Sequence, residues 1–284
     1  MDVIYCNNKS TGSLVVQTER QALSCDPRNL LRVMPAKGKS RLREPPLISR
    51  EAVFNYMQRT ETIPNRRAVI VGNGMMSANT DLESLLRAGD LLIAADGGGR
   101  YCLQAGCMPH ILIGDFDSLS VANMDQLEGS STEVFRHPTH KDETDLELAL
   151  DLAINRKIHE ILILAALGGR WDHTIANLLL LGLPRFSAAR IRLLDGNQEI
   201  TLLRPRAVHV IRGSPGDTVS LIPVSGDAHG VTTSGLEYSL QKSVLPFGAT
   251  LGVSNTLTAA EATISLQSGL LICIVIHNPR QRAT

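Results

Sequence analysis

What most restricts the fold of this chain is a succession of short runs that are apolar at nearly every position. They are AVIVG (68–72), LLIAA (91–95), ILIG (111–114), the weaker TEVFR (132–136), ILILAAL (161–167) and ARIRLL (189–194). A strand with one wet face alternates apolar and polar residues, whereas a strand that is apolar throughout is buried on both faces. Helical patterns lie between the runs, the best over 144–157 and 172–183, and DLESLLRAG (81–89) reads as a helix closed by glycine. Buried strands alternating with helices predict a doubly wound α/β domain on a mostly parallel sheet. After about Leu203 the pattern changes. VHVIR, TVSLIPV, GVTTSG, YSLQ, TLGVSN, ATISLQ and LLICIVI are short, β-branched and punctuated by Gly, Pro, Asp or Asn. They predict a small all-β domain, sandwich- or barrel-like. The expected division is an N-terminal extension over 1–64, the α/β domain over 65–204 and the all-β domain over 205–284.

The extension has its own character. It holds 10 Lys and Arg against 6 Asp and Glu, while the remainder holds 18 against 22. Its run PAKGKSRLREPP is basic and broken by Pro and Gly. Such a segment is expected to be poorly ordered apart from a short helix over 49–59 capped by Ser49, and Met57 is an alternative start. Asp2 and the lack of an apolar core segment argue against a secretory signal. No apolar run reaches the ~18 residues that span a bilayer, so no membrane partner is expected. The formal net charge is zero, which argues against a surface built to hold nucleic acid. Five cysteines without a CxxC pair read as free thiols and indicate the cytoplasm.

In a parallel α/β sheet, ligands bind beyond the carboxyl ends of the strands, and four polar clusters fall at such ends. Asp96-Gly97-Gly98 follows the second strand and Asp115-x-Asp117-Ser118 the third. The run 137–145, which contains Lys141, Asp142, Thr144 and Asp145, follows the fourth. Gly168-Gly169-Arg170-Trp171-Asp172-His173 follows the fifth. Bland readings exist for several of them. Thr144 and Glu147 have the spacing of a capping box, and His173 and Asn177 share a helix face as supporting residues.

Asp115 and Asp117 are harder to explain structurally, because adjacent carboxylates repel unless a cation is present. Mg2+ prefers hard oxygen ligands and is typically held by one or two carboxylates plus substrate phosphates. Asp115, Asp117 and Asp145 supply the carboxylates, and Lys141 and Arg170 supply positive charge for phosphate oxygens. The Gly168-Gly169 turn leads into a helix whose first N–H groups suit an anion. Neither GxxxxGK[ST] nor GxGxxG is present, so neither a P-loop nor a dinucleotide fingerprint applies. The residues indicate transfer of a phosphoryl-type group from a Mg2+-nucleotide on another scaffold.

AADGGGRYCLQAGCMPHILIGDFDSLS, KDETDLELAL, GGRWDHTIANLLLL and the late GVSN together resemble the thiamine pyrophosphokinase (thiamine diphosphokinase) family, in order and spacing from about residue 67 to 276. The resemblance implies that ATP gives its terminal pyrophosphoryl group to the thiamine hydroxyl, leaving AMP and thiamine diphosphate. It also implies a homodimer, with each active site shared between the α/β domain of one subunit and the all-β, thiamine-binding domain of the other. Carried over by motif, Asp115, Asp117 and Asp145 are Mg2+ and polyphosphate residues, with Asp96, Gly97 and Gly98 beside them. Lys141, Asp142, Thr144, Arg170, Asp172, His173 and Asn177 fall on the ATP side or support catalysis, and Ser254 and Asn255 on the thiamine side. Ile272 stands where some members carry a tryptophan. Trp171 and Phe247 are then the candidates to stack on thiamine.

Asp115, Asp117 and Asp172 are the candidates to take the hydroxyl proton. Asp117→Asn is expected to cut kcat while leaving the fold intact. Two other readings stay open at this level. ILIGDFDSLS also resembles the strand and DxD of haloacid-dehalogenase-like phosphatases, and a nucleotide- or thiamine-binding sensor would keep the fold without turnover.

Overall fold

The computed structural model describes residues 66–278, together with five short strands before them: Asp2–Tyr5, Val15–Thr18, Gln21–Asp26, Leu30–Pro35 and Ile48–Ser49. Those five pair antiparallel in chain order. The helix expected over 49–59 lies outside the described residues beyond Ser49.

From Arg67 onward, the strands are β1 (Arg67–Val71), β2 (Leu91–Ala95), β3 (Ile111–Gly114), β4 (Glu133–Arg136), β5 (Glu160–Leu164) and β6 (Arg190–Asp195). They lie in the order β6-β5-β1-β2-β3-β4, all parallel. The chain proceeds outward from β1 to β4, then crosses back to place β5 on the other side of β1. The sheet therefore has its topological switch between β1 and β5, where an α/β sheet opens a crevice.

The uniform apolarity of the runs follows from two cores. Ala68, Ile70, Ile93, Ile161 and Ile163 point to one face, under the helices α4 (Asp145–Asn155) and α5 (Trp171–Leu180). Val69, Val71, Leu92, Leu162 and Leu164 point to the other, packed with Cys102 of α2 (Gly98–Gln104) and Leu127 of α3 (Val121–Glu128). Successive residues alternate between the faces, so no position on β1 or β2 meets water. β4 read as weaker because it is the edge strand and only half-buried. The helix expected over 81–89 forms only as α1, Leu82–Leu85. Its next turn is lost because the Arg67 guanidinium takes the Leu85 carbonyl at 2.6 Å and Leu86 turns extended.

The second half holds β7 (Gln198–Leu203), β8 (Val208–Arg212), β9 (Thr218–Pro223), β10 (Ala228–Ser234), β11 (Ser243–Leu245), β12 (Asn255–Thr256), β13 (Glu261–Ser265) and β14 (Leu271–Ile276). It is all β, as expected, but one of its layers is continuous with the parallel sheet. A tight turn through Gly196, at φ 58°, reverses the chain from β6 into β7. The strands β7, β14, β9 and β12 then extend the same sheet antiparallel, giving ten strands in all. The remaining four, β8-β13-β10-β11, form a second sheet. Val219, Leu221, Leu271 and Cys273 of the long sheet and Ile211, Val231, Ala262 and Ile264 of the short one share a separate core. On the long sheet's other face, Ile200 of β7 and Ile272 of β14 continue the first α/β core.

Candidate active site

The carboxyl ends of β1, β2, β3 and β5 open into a cavity of about 560 Å³. Its floor is the switch point. Gly72 and Gly74 donate to Leu164 and Ala165 at 2.9 and 2.6 Å. A Cβ on either would come within 2.7 Å of the Ala165 carbonyl oxygen, so the β1 turn lies flat on the end of β5. Gly97 and Gly98 play a similar part at the start of α2. A Cβ on Gly97 would stand 2.0 Å from Asn73 Oδ1, and one on Gly98 2.0 Å from the Val71 carbonyl oxygen. These two glycines let the β2–α2 turn pack against β1 and stand behind the cavity wall.

Three acids converge on the wall. Asp96, left-handed at φ 49°, follows β2; Asp115 follows β3; Asp145 opens α4. Each can offer one carboxylate oxygen to a group whose members all lie within 4.8 Å of one another. Gly114 allows this approach, since a Cβ there would press to 3.1 Å on the Asp145 carboxylate. Asp96 is 6% exposed and receives a hydrogen bond on Oδ2 from Asn73 Nδ2 at 2.8 Å. Its Oδ1 is buried with no donor. Asp145 Oδ1 is buried as well, and Lys141 Nζ meets it at 2.8 Å. Burial raises the Asp145 pKa, the charges of Asp96 and Asp115 add to the rise, and Lys141 opposes it.

Asp117 lines the same cavity outside this three-carboxylate group. Phe116 is left-handed, at φ 67°, and is buried under the Arg136 guanidinium, 4.7 Å from its ring centroid. Asp117 emerges exposed beyond it and accepts from Ser118 Oγ at 3.1 Å. Asp142, Thr144, Arg170, His173 and Asn177 also line the cavity. Thr144 caps α4 by accepting from Glu147 N–H at 3.3 Å, and Asn177 donates to the Ala166 carbonyl at 2.7 Å, so both have structural work as well. Asp172 sits at the start of α5 with its carboxylate forked by Arg170 at 3.2 and 2.5 Å. The Arg170 bond and the N–H of His173 hold the Asp172 carboxyl down at about 2.

Ser254 and Asn255 lie elsewhere in the chain. The Ser254 N–H donates to Ser220 Oγ at 3.0 Å, and the Asn255 carboxamide holds the backbone of Tyr238 on both sides. Asn255 begins β12, the far edge of the long sheet, five strand intervals from β5. At the usual interstrand spacing this is about 24 Å across the sheet. Trp171 and Phe247 are both exposed, whereas Ile272 is buried in the sheet.

Sequence reasoning passed over Asn73 and Met75, which also line the cavity, together with Ser118 and Thr139 from two of the strand-end clusters. The signal for Asn73 was present: Gly72-Asn73-Gly74 closes the first strand at the switch point, where a polar residue between two constrained glycines faces the crevice.

Comparison with known proteins gives the arrangement a family. Residues 82–193 match the thiamin pyrophosphokinase catalytic domain and residues 207–271 the vitamin B1 binding domain of the same enzyme. Thiamine pyrophosphokinase of Bacillus subtilis is 33% identical over 205 residues, covering 72% of this chain and 96% of the relative. Thiamine pyrophosphokinase 1 of Arabidopsis thaliana is 31% identical, covering 74% of this chain and 86% of the relative. The crystal structure of the Bacillus subtilis protein superposes with a TM-score of 0.68 at 32% identity, over 75% of this chain and 99% of that one. With both halves matched in order and a relative spanned almost end to end, this chain belongs to the thiamine pyrophosphokinase family.

Proposed function

We propose that the protein transfers the terminal pyrophosphoryl group of ATP to the hydroxyethyl oxygen of thiamine, giving thiamine diphosphate and AMP. The observation that carries this reading is the group Asp96, Asp115 and Asp145 at the switch-point crevice, with a buried, donorless oxygen on Asp96. Hard carboxylate oxygens in that arrangement fit Mg2+, and Asp96, Asp115 and Asp145 would hold it. When bound, Mg2+ neutralises charge on the polyphosphate and on the departing oxygen.

The chain's own residues do the rest by positioning and charge. Lys141 stands over the acid group as a fixed cation for phosphate oxygens. Arg170, at the mouth of the cavity, offers a planar fork to the polyphosphate. The thiamine oxygen forms a bond to the β-phosphorus of ATP as the bond from that phosphorus to the α–β bridging oxygen breaks. AMP departs with the electron pair, and the hydroxyl proton passes to Asp117, the cavity acid outside the cation group. The separation between this cavity and Asn255 supports a homodimer in which Ser254 and Asn255 of a second copy complete the thiamine side. Among the described residues Cys102, Cys107 and Cys273 are free thiols, which supports the cytoplasm as the compartment. No helix among the described residues is long and apolar enough to cross a membrane.

Purified protein with ATP, Mg2+ and thiamine is expected to yield AMP and thiamine diphosphate in equal amounts. ADP or free phosphate without AMP would overturn the reaction, and tight binding without turnover would favour the sensor. Asp117→Asn is expected to lower kcat strongly at saturating Mg2+ with the fold intact; near-wild-type turnover would remove Asp117 as proton acceptor.

A further inference from the structure

We propose that Asn73 is a positioning residue whose single carboxamide sets two acids at once: Asp96 directly, and Asp117 through Ser118. The inference rests on the reading that Asp96 holds the divalent cation and Asp117 takes the hydroxyl proton.

The side chain is fixed from both sides. Its neighbours Gly72 and Gly74 are hydrogen-bonded to the end of β5 and are too close to that strand to carry side chains. The carboxamide reaches across the mouth of β2 toward the loop after β3. One N–H of Nδ2 donates to Asp96 Oδ2 at 2.8 Å, and the other donates to Ser118 Oγ at 2.9 Å. Oδ1 rests on Gly97, at a place where a Cβ would stand 2.0 Å away. Rotating the amide by half a turn would aim its oxygen at a carboxylate, so the neighbours determine the orientation.

Each bond has a consequence. At Asp96, the donor on Oδ2 satisfies that oxygen and leaves Oδ1 as the buried oxygen without a donor. The carboxylate is thereby held with one oxygen tied to the protein and one bare, which is the work of the supporting partners behind a metal ligand. At Ser118, the hydroxyl oxygen already accepts from Asn73, so its proton is directed to Asp117 Oδ1 at 3.1 Å. Asp117 is otherwise exposed on a short turn, and this bond gives its carboxylate one preferred orientation. A neutral residue in the β1 turn therefore links the cation-holding acid to the proton-accepting acid.

The two arms separate experimentally in the full-length protein. Mn2+ binding without nucleotide, followed by the EPR signal of the free ion, reads the first arm; kcat at saturating Mg2+ reads the second. Asn73→Ala is expected to weaken Mn2+ binding by about tenfold or more and to lower kcat, with the cation-free protein still folding cooperatively at a somewhat lower Tm because a buried oxygen of Asp96 loses its donor. Ser118→Ala is expected to lower kcat and leave Mn2+ affinity where it is in the wild type. Unchanged Mn2+ affinity in N73A overturns the inference. So does loss of cooperative folding in cation-free N73A, because a positioning role leaves the unloaded protein folded. Equal loss of Mn2+ affinity in S118A and N73A overturns the division into two arms. A wild type that binds no Mn2+ overturns the cation reading itself, a failure separate from the others because it needs neither variant.

Discussion

The two ends of the parallel sheet treat a buried acid in opposite ways. At the amino ends of β1 and β2, Asp90 is paired with Arg67, each side chain only 5% exposed. The guanidinium reaches both carboxylate oxygens, at 3.1 and 2.5 Å, and the Arg87 N–H adds a third bond at 2.8 Å. Every oxygen is met by a donor from the protein. At the carboxyl ends of the same strands, Asp96 is as deeply buried, yet it has one donor and one bare oxygen, with Asp115 and Asp145 crowded beside it. Burying a carboxylate is costly unless charge and hydrogen bonds offset it. Where the protein supplies the offset, the acid is structural. Where it withholds it, the fold bears a standing cost that the proposed cation would relieve, which is how active sites trade stability for function.

Breaking the closed end should have the largest effect. Arg67→Ala strands the Asp90 charge in the core and is expected to cost about 3–5 kcal/mol of stability, read as a lower urea midpoint. KM for ATP and thiamine should not change in the fraction that remains folded. The open end should respond the other way. Asp96→Asn removes a charge that is poorly satisfied and repelled by two neighbours, so the cation-free protein should gain stability. Its turnover should fall about 10²–10³-fold, as for loss of one electrostatic contact to a transition state. If Asp96→Asn destabilised the unloaded protein as Arg67→Ala does, both ends would be structural and the contrast would fail. Thr144 tests the boundary between the two roles. As the cap of α4, its replacement by alanine should cost about 1 kcal/mol. A fall in kcat/KM for ATP beyond what that loss explains would place its hydroxyl on the nucleotide as well.

The contrast also marks what the sequence could convey. The inner strands β1, β2, β3 and β5 were legible because burial on two faces makes nearly every position apolar, as in Ala68–Val71 and Ile161–Leu164. The rim acids Asp115 and Asp145, with Lys141 and Arg170, were legible because charge at the end of such a strand needs a purpose. β7 was missed because QEITLL is buried only at every third residue, and its place in the sheet depends on pairing with the distant β14. The shared layer followed from that same non-local pairing. Asp117 read as the twin of Asp115 because two carboxylates so close in sequence repel unless a cation joins them. The chain, however, leaves the strand at Gly114, and left-handed Phe116 sends Asp117 away from the group that Asp96 joins. Asn73 carried no charge to betray it; its importance lies in two bonds to residues 23 and 45 positions away.

The smallest effect should come from the pair that resembles neither end. Arg170 and Asp172 are 70% and 63% exposed, so water screens them and little stability rests on them. The folded chain still holds the Asp172 carboxyl at about 2 against an ordinary 3.8. A carboxyl depressed on folding contributes stability above its unfolded value and loses it as the pH falls through the folded one. The window is therefore 3.8 down to about 2. Asp172→Asn should lower the neutral-pH Tm only slightly and flatten the acid limb of the stability curve by the same small amount within that window; added salt should blunt the same limb in the wild type. In the proposed function the pair's value lies instead in being weakly held. A guanidinium kept over the cavity by an exposed partner can move to a polyphosphate at little cost, whereas Arg67, locked to Asp90, cannot. If Asp172→Asn instead shifted the neutral-pH Tm as much as Thr144→Ala does, the pair would be a fixed structural clasp and Arg170 would not be free to turn to the nucleotide.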